Sequence, residues 1–233
     1  MVERAKVALV FALLALPVLA VEELKTPGEQ VLDELRAALA SGETGRAEAL
    51  LTEAGELYAW PATKGERDRL FDALAAATRS DRPSIQCAAL RALGATGAPK
   101  AAELVEPFLR DLKTDAGGEA ATIAAIQAAG QIRDRSLVAP LVKLATKSNQ
   151  LTAADQAFLA LGEWSRDSDS ARKQVIEKVL SAANSTRRNR SRWNRLRAPA
   201  LRALQRLCGR KLNSYEMFLD WWKHAKTLRK PFS

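Results

Sequence analysis

One short pattern restricts this chain more than any other: a stripe of small apolar residues that ends in glycine and recurs. The stripe AALRALG ends at Gly94, AAIQAAG at Gly130 and QAFLALG at Gly162, and a longer-spaced RALQRLCG ends at Gly209. The intervals are 36, 32 and 47 residues. Each stripe comes after a first apolar segment and a polar turn: residues 69–80, 104–114, 137–148 and 175–185 precede the four stripes in order. Within every segment apolar residues recur at i, i+3, i+4 and i+7, the period of a helix with one buried face. A unit of this kind cannot bury its face alone, so neighbouring units must stack on one another. The glycines read as helix C-caps, because a helix commonly ends where glycine adopts the left-handed conformation at no steric cost.

The stretch ahead of the repeats obeys the same logic. Residues 28–40 carry Val31, Leu32, Leu35 and Leu39 on one face, and residues 45–58 carry Ala49, Leu50, Ala54 and Leu57. Ser41-Gly-Glu-Thr-Gly45 between them supplies turn residues, and Trp60-Pro61 breaks the chain after the second segment, so a helical hairpin is expected. Alanine and leucine dominate while β-branched residues are sparse, which favours helix. There is neither a period-2 run nor a hairpin dipeptide to suggest strands. Pro107 and Pro140 sit early in their expected helices, where a missing N–H is tolerated or produces a kink. The expectation is an all-α chain.

The stripes Ala88–Gly94, Ala124–Gly130 and Gln156–Gly162, each set against a helix of the Pro-Leu/Phe-Leu/Val type, resemble HEAT or HEAT-like repeats, including the lyase-like helical repeats. The end of the chain is similar to the closing segment of exported bacterial HEAT-repeat proteins. There a helix end leads through a short loop to an aromatic helix, matched here by Tyr215, Phe218, Trp221 and Trp222 behind a potential Ser214 cap. Cys208 stands where threonine is usual and Phe218 where a tryptophan is usual. The resemblance implies a right-handed α-solenoid of HEAT-like hairpins with a C-terminal aromatic capping helix, used for contact between proteins. It divides the chain into a signal peptide over 1–20, an N-terminal hairpin over 21–62, repeats over 63–212 with an Arg-rich insertion at 186–197, and a capping helix with a basic tail over 213–233. The aromatic face has two readings: it closes the open end of the stack, or it touches a ligand or membrane.

The first twenty residues are set apart from the fold. Met1–Lys6 is short and basic, and Val7–Leu19 is apolar throughout. Small residues at Val18 and Ala20 place a signal-peptidase cut between Ala20 and Val21. The apolar run is shorter than the ~20 residues a bilayer-spanning helix needs. A periplasmic or secreted chain is expected, with an uncleaved N-terminal anchor as the alternative. Cys87 and Cys208 fall on apolar stripes several repeats apart and read as small buried hydrophobes rather than a disulfide.

Catalytic patterns are absent from the sequence. His224 is the only histidine, so neither a multi-histidine metal site nor a nucleophile–histidine pair has its parts. Gly117-Gly118 reads as a turn and is followed by no Lys-Ser/Thr, so there is no phosphate loop. Asp167 and Asp169 read as caps or solvated charge. No cofactor is called for, and no enzyme is expected. Some HEAT-like proteins are chromophore lyases or DNA glycosylases, but a shared fold transfers no function.

Charge carries the functional signal. Residues 187–233 hold fourteen Lys and Arg against Glu216 and Asp220, a net +12, whereas residues 21–186 are net −4. The densest part places Arg187, Arg188, Arg190, Arg192, Arg195 and Arg197 around Trp193. Guanidinium forks bind phosphate, sulfate or carboxylate in pairs of hydrogen bonds and stack on aromatic rings. These residues are the candidate anion- or partner-binding site, with a solvated basic loop as the other reading. The expected partner is a protein, with an anionic envelope polymer or lipid head groups as alternatives. Export argues against nucleic acid.

Overall fold

The computed structural model describes residues 25–60, 63–110, 116–228 and 231–232. The expected signal segment, with the cut expected between Ala20 and Val21, lies outside them, as do Arg229 and Lys230 of the tail. Every regular element among the described residues is helical. The α-helices are α1 (Pro27–Ser41), α2 (Thr44–Leu57), α3 (Lys64–Ala77), α4 (Pro83–Thr96), α5 (Ala102–Arg110) and α6 (Ala116–Ile132). They continue with α7 (Val138–Lys147), α8 (Leu151–Leu161), α9 (Asp169–Arg187), α10 (Arg190–Cys208) and α11 (Tyr215–Ala225).

Short polar side chains start these helices where the sequence offers them. Thr26 and Glu29 form a reciprocal capping box on α1, and Thr63, Ser168, Asn189 and Ser214 each accept an amide of the first turn after them. The apolar stripes then pair the helices into hairpins: α1 with α2, α3 with α4, α5 with α6, α7 with α8 and α9 with α10. The second members α2, α4, α6, α8 and α10 lie side by side in one row, and the first members form the other. The core between the rows is continuous from Val31 to Ala225. Leu51, Leu74, Ile85, Leu93, Ile126, Phe158, Trp164 and Phe218 are fully buried in it.

Two of the recurring glycines, Gly94 and Gly130, are not caps, and these two together with Gly162 are packing residues. Gly94 and Gly130 lie inside α4 and α6, and Gly162 keeps a right-handed backbone at φ −67° as α8 runs into a 3₁₀ turn. The left-handed stops come three residues later, at Gly97 (φ 61°) and Arg133 (φ 56°). Each glycine faces an alanine of the next second-row helix. A Cβ at Gly55 would lie 2.9 Å from the Cα of Ala92, and one at Gly94 would lie 2.7 Å from that of Ala128. At Gly130 and Gly162 the corresponding distances, to Ala160 and Ala203, are 3.3 Å. The shared motif is therefore Ala-x-Gly: Ala92-Leu-Gly94, Ala128-Ala-Gly130 and Ala160-Leu-Gly162. Its ends are informative. Among the described residues α2 is the first helix of the second row and α10 the last; Glu53 holds the alanine position of α2, and Gln205 holds the glycine position of α10. Gly209 is a true C-cap (φ 69°) and not the fourth member of the series.

Three further expectations change. Gly117-Gly118 belongs to the first turn of α6 instead of a turn between helices. Pro107 lies within α5, while Pro140 is near the start of α7; both helices are entered through 3₁₀ turns, Pro99–Ala101 and Arg135–Leu137. On α2 Ala54 is buried as expected and Ala47 is buried beside it, while Ala49 is exposed.

The N-terminal hairpin is fastened twice. Gly55 on Ala92 joins α2 to α4, and the buried Glu66 joins α1 to α3. The Glu66 carboxylate accepts the hydroxyl of Thr26 at 2.7 Å and the amide of Gly28 at 3.0 Å. It occupies the space a Cβ at Gly28 would need. At the other end, α11 buries Tyr215, Phe218 and Trp222, and the tail residue Phe232 stacks under the guanidinium of Arg172 at 3.9 Å. Arg172 also donates twice to the carbonyl of Leu207, at 3.0 and 2.5 Å, tying α9 to the end of α10. Burial lowers the pKa of Arg172 from its ordinary value.

The glycine row makes a prediction of opposite signs. Gly94→Ala forces α4 from α6 and is expected to destabilise the chain by ~1–3 kcal/mol, the usual cost of overpacking. Gly65→Ala, in a helix with nothing within 4 Å of the new methyl, is expected to be neutral or to stabilise by about 0.5 kcal/mol. Urea denaturation monitored by circular dichroism reads both; a Gly94→Ala midpoint equal to wild type would refute the packing role.

Candidate functional site

The Arg-rich segment is neither an insertion loop nor one surface. It comprises the last residue of α9, a tight turn at Arg188-Asn189, and the first two turns of α10. Asn189 ends one helix and caps the next, its Oδ1 accepting the amide of Arg192 at 2.9 Å. The apparent insertion is the extra length of α9 and α10, each of 19 residues.

Helical phase sorts the six arginines and the tryptophan. Trp193 stands on the apolar side of α10 and packs against the hydrophobic core, meeting Tyr215 edge to face at 5.3 Å. Arg187 lies over both rings, 4.9 Å from Tyr215 and 5.8 Å from Trp193, and pairs with Glu216 at 3.2 Å. Cation–π and ring contacts of this kind contribute ~0.5–1.5 kcal/mol each, so the group holds α11 to the α9–α10 turn. Tyr215 completes it by donating its hydroxyl to the carbonyl of Leu180 at 3.2 Å and meeting Asn184 Oδ1 at 3.0 Å. Arg192 points into the body of the protein, where its Nη2 donates to the carbonyl of Ser148 at 2.5 Å. Three members of the predicted site are thus structural.

Arg188, Arg190, Arg195 and Arg197 remain. All four are exposed, and none has a hydrogen bond or ion pair among the described residues. Further along α10 the pattern changes: Arg202 pairs with Asp155 of α8 at 3.7 Å, and Arg206 pairs with Glu163. Unpaired charge is therefore concentrated at the N-terminal end of α10. Its first turn contains no acidic residue, and the amide dipoles there already present partial positive charge.

A second surface, not anticipated from the sequence, crosses the exposed side of the second-row helices. It is an open groove of about 670 Å³ floored by Gly94, Gly130 and Ala160 and lined by Gln127, Gln131, Gln156, Arg133, Arg166 and Arg206 with Glu163. Each glycine makes room for a long side chain of the next unit. Gln131 lies over Gly94, Glu163 over Gly130 and Arg206 over Gly162. All three occupy the position immediately after the Ala-x-Gly motif or its Gln205 equivalent, a signal present in the sequence once the motif is aligned.

The remaining residues with chemical potential are scattered. Cys87 and Cys208 are free and buried, and burial raises both thiol pKa values. His224 is exposed on α11. Asp169 opens α9, and Asp167 pairs with Arg133 at 3.4 Å. Among the described residues no group of three His, Cys, Asp or Glu side chains is arranged to hold a metal ion, and no helix is long and apolar enough to cross a membrane. The chain matches no protein-family model, and a search of curated proteins finds no match.

Burial of Tyr215 pushes its pKa up from 10.0 to about 12. A raised folded-state value means that the neutral phenol is stabilised by folding. The stabilisation is complete below pH 10 and is lost as the pH rises towards 12. An ultraviolet phenolate titration is expected to show one tyrosine ionising only near pH 12, with loss of α11 docking in the same range. Tyr215→Phe should remove that late transition; its persistence would assign the transition elsewhere.

Proposed function

We propose that this chain is a non-catalytic interaction module of the cell envelope, exported through its N-terminal segment. On this reading it is a right-handed α-solenoid of HEAT-like hairpins with α11 as its closing helix. It binds an acidic face of a partner protein through Arg188, Arg190, Arg195 and Arg197. The observation that carries the proposal is the set of four exposed, unpaired arginines at the positive end of α10. A cation in the first turn of a helix, where Arg190 stands, opposes the dipole by ~0.3–1 kcal/mol. No carboxylate of the described residues compensates these four. A contact outside the chain accounts for an arrangement that the fold itself does not need.

The proposal also fits the division of labour along the segment. Arg187, Trp193 and Arg192 fix the turn and the helix rigidly, so the other four guanidiniums are presented from a set backbone. Ordering entropy is then lost mainly in the side chains, which favours affinity. A protein contact made through exposed charge is screened by salt, whereas contact through apolar helix faces is not.

The test is crosslinked capture from an envelope fraction by the mature chain, eluted with a salt gradient, beside the variant Arg188→Glu/Arg190→Glu/Arg195→Glu/Arg197→Glu. Wild type is expected to release a partner protein at moderate salt and the variant, with an unchanged helical spectrum, to retain none. Equal retention by both sinks the proposal. Retention of wild type on anionic vesicles or a sulfated polysaccharide, with no protein captured, moves the reading to lipid head groups or an anionic polymer.

A further inference from the structure

The groove across α4, α6, α8 and α10 has a chemistry distinct from the arginine edge. Its walls carry three carboxamides, Gln127, Gln131 and Gln156. Gln131 and Gln156 have no hydrogen-bond partner among the described residues, and Gln127 accepts only a long contact from Arg91 at 3.4 Å. A carboxamide offers a donor and an acceptor side by side, which is the complement of one peptide unit. Gln127 and Gln131 stand one turn apart on α6, and Gln156 stands on the neighbouring α8. Packed helix axes are ~8–10 Å apart, and an extended chain rises ~3.3 Å per residue. A strand-like segment crossing the row would therefore meet a new helix about every third residue.

The far end of the groove is positive. Arg133, Arg166 and Arg206 line it; Arg206 pairs with Glu163 and Arg133 with Asp167, which leaves Arg166 as the unpaired charge. Arg166 is exposed and has no partner among the described residues. Arg133 is the sole non-glycine residue with positive φ among the described residues. A helix stop in that conformation is ordinarily glycine or asparagine, and an arginine held there stores strain of about 1–2 kcal/mol per residue. The strain is borne at the rim of the groove, with the guanidinium 3.4 Å from Asp167. Strained residues of this kind gather at ligand sites.

We infer that this groove binds an extended acidic peptide segment of a partner protein. Gln127, Gln131 and Gln156 meet its backbone, and Arg166 meets a carboxylate side chain. The glycines supply the depth: a side chain at Gly94 or Gly130 would occupy the floor now covered by Gln131 and Glu163. The inference does not depend on the arginine edge, because the groove residues and the four arginines share no member.

The experiment is direct binding, by fluorescence anisotropy, of short labelled peptide pools to the mature chain. The pools are rich in Asp and Glu, rich in Lys and Arg, or neutral. Two groove variants, Arg166→Glu and Gln131→Ala/Gln156→Ala, and the four-arginine edge variant are measured beside wild type. All substitute exposed or half-exposed side chains, and the helical spectrum checks the fold. The acidic pool is expected to bind best, to weaken about tenfold in each groove variant, and to bind the edge variant within about twofold of wild type. Acidic-pool binding that persists in the groove variants and disappears in the edge variant assigns the peptide to the arginines and overturns the inference. Equal binding of all pools, preference for the basic or neutral pool, or no binding at all overturns it too, and none of these results touches the capture experiment on the edge.

Discussion

The close approach of glycine to alanine between successive second-row helices is the contact on which the rest of the molecule depends. At Gly94 a single methyl would meet backbone at 2.7 Å, so α4 and α6 can lie where they do only while that position is bare. The same relation at Gly55, Gly130 and Gly162 sets α2, α8 and α10 in one row. The first-row helices carry Leu, Val and Phe at their buried positions and approach one another less closely. Their spacing is set by the row already formed and by the hairpin turns. The glycines contribute little burial of their own. They permit the burial of the leucines beside them, and each CH₂ so buried stabilises by about 0.8 kcal/mol.

Helix content and hairpin pairing were legible because a 3.6-residue period survives any choice of partner. The role of the glycines was not. A glycine at the end of an apolar stripe has one appearance in sequence whether it stops a helix or admits a neighbour. The distinguishing signal was the alanine two residues earlier, in Ala92, Ala128 and Ala160, together with a separate stop three residues later at Gly97 and Arg133. Aligning on Gly209 hid this signal, because Gly209 is a stop and Gln205 is the true equivalent. The same misalignment turned two long helices into an apparent insertion.

The arginine block shows a related limit. As composition, six arginines in one short run are interchangeable. As helix positions they are not. Arg192 precedes Leu196, Pro199 and Ala203 by four, seven and eleven residues and so shares their buried face. Its Nε is buried without a hydrogen-bond partner among the described residues, an uncompensated cost that the bond to Ser148 only partly offsets. Arg187 was placed by Tyr215 and Glu216 on α11, a relation that no local pattern announces. The groove was illegible for a different reason: its residues come from four helices and become neighbours only when the row has formed.

Helix α10 contributes to both surfaces, which raises the question of whether they act as one. Arg197, the nearest of the four, and Arg206 are nine residues apart, which at ~1.5 Å per residue is about 14 Å along the axis. Arg190 and Arg206 are separated by about 24 Å on the same measure. The Debye length at physiological ionic strength is ~8 Å. A carboxylate arriving near Arg206 therefore stands roughly 1.7 to 3 screening lengths from the unpaired edge and alters its field little. The salt bridges Arg202–Asp155 and Arg206–Glu163 shorten the reach further, since a paired charge acts at a distance as a dipole. The two proposed contacts are therefore expected to act independently of one another, although α10 contributes to both surfaces.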